Sequence, residues 1–148
     1  MTDPQTIHAD QYLAHPPARV WRALTDPDRM ARWLMPNDFK LETGHRFTFR
    51  TTPMPKVDFD GVVNCEVLEF EPDRMLRISW AGGNLDTTAT WKLVPEGHGT
   101  RLFVEHAGFH LDDAAQEFAF RNMGSGWRSG PFRSLEKLLD ELSPAEHV

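Results

Sequence analysis

Cysteine is nearly missing: Cys65 stands alone in 148 residues, so no internal disulfide can staple the fold. Apolar runs are short, and none approaches the roughly 18 residues of a membrane-spanning helix. The opening Met1-Thr2-Asp3-Pro4 lacks the charged and apolar parts of a secretory signal. Basic clusters are missing too. Sixteen basic against 22 acidic side chains leave a formal net charge of −6, which repels phosphate backbones and sets nucleic acid aside as a partner. Gly124-Ser125-Gly126 lacks the lysine and preceding strand of a phosphate-binding loop, and Ser79, Ser125 and Ser129 sit in no nucleophile-elbow motif. What remains is the expectation of one cytoplasmic domain over residues 1–148, with no membrane span, no metal and no cofactor.

Large rings are what the chain does have. Five tryptophans and ten phenylalanines stand against a single tyrosine. Such rings build cores, and a lined cavity draws on the same residue types.

From Asp112 to Leu142 the pattern is helical. Trp127, Pro131, Leu135, Leu138, Leu139 and Leu142 recur at steps of three and four, which makes one apolar stripe. Asp112 and Asp113 suit the positive end of a helix. An interior glycine costs about 1 kcal/mol and an interior proline about 3. The spacing therefore predicts a long helix, bent or briefly broken between Gly124 and Pro131. Roughly 30 helical residues would reach ~45 Å, so the remaining elements must wrap around it.

Ile7 to Ala14 reads as a first strand, ended by Pro16-Pro17. Two short helices follow, one with Val20, Trp21 and Leu24 inward, the next with Met30, Trp33 and Leu34. Asp26 is suited to cap the second, and Pro27 to open it. From Phe39 the apolar period falls to two. Phe39 and Leu41, then Phe47 and Phe49, then Val63, Cys65 and Val67, each alternate with polar neighbours. So do Leu76, Ile78 and Trp80, then Ala89, Trp91 and Leu93, then Leu102, Val104 and His106. Regular turn signals between these runs, Gly83-Asn84 among them, describe an antiparallel meander. The class is α+β: a helix-grip fold, with a curved antiparallel sheet of six to seven strands around a long C-terminal helix, and two short helices after the first strand.

Val20-Trp21-Arg22-Ala23-Leu24-Thr25-Asp26-Pro27 followed by Trp33 resembles the opening of the START/birch-pollen-allergen (SRPBCC) superfamily. The resemblance is nearest to the branch named for the C-terminal domain of activators of the heat-shock protein 90 ATPase. Gly44 before Phe47 and Phe49, Gly61, Glu69-Phe70-Glu71-Pro72-Asp73, Glu105-His106-Ala107-Gly108-Phe109 and Gly126-Trp127 agree with that branch. It departs at Leu34, where many members carry a second tryptophan, and at His45, where a second glycine is common. The resemblance implies a pocket for a hydrophobic small molecule or lipid, on a scaffold that hosts many activities. It also brings a chaperone in as a partner to consider.

Alternation and fold together assign a pocket lining: Phe47, Phe49, Val63, Cys65, Trp80, Trp91, Val104 and His106 from the sheet. Phe118, Met123 and Trp127 face them from the helix, with Trp33 at the closing end. His106, in phase with Leu102 and Val104, points inward, where a neutral imidazole could orient a ligand, serve as a base, or simply be satisfied by a neighbour. His106 and His110 have a metal-ligand spacing that converges only on a helix, and Gly108 argues against one there. Asp58, Asp60 and Glu66 could pair as carboxylates, but a solvated loop is the more ordinary setting. Cys65, mid-strand, reads as a small buried apolar residue. No catalytic constellation is visible, which ranks ligand binding above a cyclase, hydratase or hydrolase using His106. Phe103, on an outward strand face, offers a surface for a homodimer.

Overall fold

The computed structural model describes residues 5–53, 60–82, 85–129 and 131–141, with the side chains of 124–126 and 128–129 set aside. Expectations resting on Asp58, on the Gly83-Asn84 turn and on Leu142 fall outside the described residues.

Strand β1 (Gln5–Leu13) leads into helices α1 (Pro17–Thr25) and α2 (Pro27–Trp33), then strands β2 (Arg46–Arg50), β3 (Val62–Glu71), β4 (Met75–Gly82), β5 (Leu85–Glu96) and β6 (Gly99–Phe109). Helices α3 (Ala114–Ser129) and α4 (Pro131–Glu141) close the chain. The strands form one antiparallel sheet in the order β1-β6-β5-β4-β3-β2. α1 and α2 are thus the crossover that carries the chain from one border of the sheet to the other. The α+β helix-grip architecture expected above is what the chain adopts, with six strands.

Local chemistry accounts for the crossover. Pro17 and Pro27 sit in the first turns of α1 and α2, and the Asp26 carboxylate accepts from the amide of Asp28 at 3.0 Å. The Trp33 indole N–H donates to the carbonyl of Ala23 at 2.8 Å, which pins α2 against α1.

Phe39–Glu42, expected as a strand, is not one. Asn37 makes an isolated bridge with Phe49, the amide of Arg50 donates to Pro36, and the Asp38 carboxylate accepts from the Thr48 amide. Those contacts occupy the outer side of β2, so the segment turns away after Asp38 with Phe39 buried. The carbonyl of Pro36 and the carboxylate of Asp38 do what a further strand would have done.

At the other end, α3 runs unbroken through residues 124–126 to Ser129, and α4 is described from Pro131. The helix accommodates the cost of two glycines. The two helices are seated differently. α4 buries Phe132, Leu135, Leu138 and Leu139 and is fastened by polar contacts. Buried Arg19 donates to the Leu139 carbonyl at 3.0 Å, His15 pairs with Asp140 at 2.8 Å, and Arg32 with Glu141 at 2.9 Å. α3 is capped by Asp113, whose carboxylate accepts from the amides of Ala115 and Gln116. From Ala114 to Met123 it has no fully buried residue.

Candidate functional site

The inner face of the sheet carries its rings as a connected run. Phe39 meets Phe47 at 5.0 Å between centroids, Phe47 meets Phe49 at 5.3 Å, and Phe49 lies 5.4 Å from Trp80. Trp80 touches His106 at 5.1 Å and Trp127 at 6.0 Å, and Trp127 stands edge-on to Trp91 at 5.8 Å. Strand alternation puts Trp80, Trp91, Val104 and His106 on this face. The β5–β6 register then sets Ala89 beside His106 and Trp91 beside Val104.

Polar atoms within the cluster form a chain whose direction can be worked out. The Thr87 hydroxyl lies 2.7 Å from the carbonyl of Trp80, which can only accept, so its single hydrogen goes there. His106 Nε2, 2.8 Å from the same hydroxyl oxygen, must then be the donor. His106 Nδ1 is left as an acceptor, and the Trp127 indole N–H points to it at 3.4 Å. The imidazole is therefore neutral, with its proton on Nε2. Burial pushes its pKa down to about 3. Both ring nitrogens are occupied, so His106 holds the wall in place rather than waiting as a free base.

Trp91 is different. It is only 1% exposed, yet among the described residues its indole Nε1–H meets no acceptor. A buried donor left unpaired costs about 1–3 kcal/mol.

Of the sequence-assigned lining, Phe47, Phe49, Val63, Cys65, Trp80, Trp91, Val104, His106 and Trp127 are buried on the inner side, and Met123 is half-buried against them. Trp33 is buried too, but its polar atom is spent on Ala23, so it braces the two short helices. Phe118 corrects the expectation: it is 48% exposed. It lies nine residues before Trp127, a rotation of about 180° on a helix, whereas Phe120, seven before, returns to the same side. Phe120 contacts Phe109 at 5.4 Å, and Phe109 contacts His106 at 4.8 Å. Sequence reasoning passed over Phe109, Phe120 and Phe132 although period alone could have found Phe120. It also missed Thr87, which no periodic signal joins to His106 without the strand register.

Cys65 is buried, and its thiol is pushed up to about 12, first by burial and then by the charge of Asp38. Asp38 is itself held below the usual carboxylate range by the Thr48 amide. Among the possible acids, the Asp60 carboxylate accepts from the amide of Val62, and Glu66 faces Arg46 at 3.4 Å. His106 is enclosed while His110 is exposed. Among the described residues no three His, Cys, Asp or Glu side chains gather as metal ligands, and no helix is long and apolar enough to cross a membrane.

Two surface grooves lie away from the ring cluster. One, of about 410 Å³, lies beside Asp38, Arg46, Thr48, Asn64, Glu66 and Ser79 on the outer face of β2–β4. The other, of about 680 Å³, runs between Pro17, the β3–β4 turn and the end of β5.

The pattern that defines the Activator of Hsp90 ATPase homolog 1-like proteins matches residues 14–140. The chain belongs to that family. It is thereby a member of the SRPBCC superfamily, and its helix-grip fold is shared with solved relatives. Protein MLL2253 from Mesorhizobium loti is 35% identical, with a TM-score of 0.82 over 94% of this chain and 99% of that one. CalU16 from Micromonospora echinospora is 29% identical, with a TM-score of 0.74 over 97% of this chain and 80% of its own. BH1534 from Bacillus halodurans, at 24% identity and a TM-score of 0.75 over 94% of this chain and 99% of its own, shares the fold. No curated protein matches the sequence.

Proposed function

We propose that this chain, as a cytoplasmic single-domain protein, binds an apolar small molecule between the inner face of the sheet and α3. The observation that carries this reading is the contrast between the two C-terminal helices. α4 is bolted down by four buried apolar side chains and by Arg19. α3 reaches the tryptophans through the buried Trp127 near its end, whereas its first half, with Phe120 against Phe109 of β6, buries nothing completely. Loosening that first half costs little, and beside it lies a wall of rings with a neutral histidine whose Nε2–H is already held by Thr87. Such a wall suits a guest held by its apolar surface, with few polar contacts to orient it.

The experiment is titration of an apolar fluorescent dye into the purified protein, read by dye emission and by tryptophan quenching, alongside native mass spectrometry of what copurifies. Saturable one-to-one uptake, weakened in a Trp127→Ala variant, is expected. A protein that neither copurifies with a small molecule nor takes up the dye overturns the reading.

A further inference from the structure

The unpaired indole of Trp91 says more about the guest, on the premise that the site between sheet and α3 is a binding site. Trp91 lies mid-strand in β5, between Leu76 of β4 and Val104 of β6, where the backbone ladder is closed on both sides and offers its side chain no spare carbonyl. Its ring meets Trp127 at 5.8 Å and 79°, an edge contact that binds weakly and does not replace an oxygen acceptor. Trp127 is the ring that α3 lays against this indole. It sits near the C-terminal end of α3, and its own polar contact to His106 is long, at 3.4 Å.

Around this donor the ring cluster carries no charge: His106 is neutral and the Cys65 thiol is protonated. An ionic guest would lose its hydration there with nothing to compensate. The walls are flat rings, which favour a flat partner.

We propose that the Trp91 indole N–H donates to an oxygen acceptor of the bound molecule, and that the ligand is an uncharged, flat, ring-bearing compound whose buried end carries a carbonyl or ether oxygen. The apolar rings supply the affinity. Trp91 fixes which end goes in first, and its unmet donor in the free protein is what the ligand relieves.

The test uses 9-fluorenone and fluorene, one skeleton with and without a carbonyl, against wild type and Trp91→Phe. Trp91→Phe keeps an aromatic ring and removes the donor. The expected result is that Trp91→Phe weakens 9-fluorenone by about fivefold, the size of one neutral hydrogen bond, and leaves fluorene within about twofold. Equal changes for the two compounds, or none, overturn the assignment of Trp91 while leaving the binding site in place. Failure of both compounds to bind wild type overturns the site itself. Should Trp91→Phe not fold, the carbonyl stretch of 9-fluorenone bound to wild type decides. A band shifted below its position in heptane supports the hydrogen bond, and a band at the heptane position refutes it.

Discussion

His106 shows how one buried side chain makes the whole protein sensitive to acid. Its pKa is depressed to about 3 by burial, whereas an unfolded chain returns it to the ordinary value near 6.5. Between those two values the unfolded state binds the extra proton, so stability falls as pH drops through the window and is unaffected above it. The slope approaches about 1.4 kcal/mol per pH unit. Urea unfolding at pH 7 and pH 5 is expected to show this loss in wild type and a smaller one in His106→Gln, which separates the histidine from the carboxylates. Nitrogen chemical shifts at pH 5 should still report neutral imidazole with the proton on Nε2. Cys65 gives a second check. With its thiol pushed up to about 12, labelling by a thiol reagent at pH 8 should proceed only as fast as the protein opens, and urea should accelerate it. The inward direction of both residues could be read from alternation. The locking of His106 could not, because Thr87 enters through β5 register and Trp127 through a helix far along the chain.

At the scale of elements, α3 and α4 are expected to behave as separate bodies. Amide hydrogens of Ala114–Met123 should exchange faster than those of Phe132–Leu139, since their helix buries less apolar surface. Arg19→Leu leaves the Leu139 carbonyl without its charged donor and should cost about 2 kcal/mol, measured by denaturant unfolding. Gly61 sits at φ +85°, and a Cβ there would meet the Thr51 carbonyl at 2.6 Å. Gly61→Ala should therefore cost about 1–3 kcal/mol. Period-two runs located β3, β4, β5 and β6 because each buries one face against the helices. Phe39–Glu42 carries the same pattern yet forms no strand. Alternation reports which side chains are buried, whereas the outer side of β2 was taken by Pro36, Asn37 and Asp38. The helical period was legible through α3 and α4, whereas the cost of glycine did not forecast that α3 runs on to Ser129.

For the whole molecule, surface charge contributes little to stability. The ion pairs Arg46–Glu66, Lys40–Glu42 and Arg121–Glu117 lie largely in solvent, and such pairs are worth about 0–1 kcal/mol each. Raising sodium chloride to about 0.5 M should shift the urea midpoint only slightly, unlike the pH step above. The borders of the sheet differ more than its faces do. On one side the residues just ahead of β2 have taken its amides, whereas among the described residues β1 has a strand neighbour on one side only. Any second copy adding by strand pairing would have to add at β1. Each molecule has that border once, so the first such encounter uses it up on both, and growth halts at a twofold pair instead of running on into a fibre.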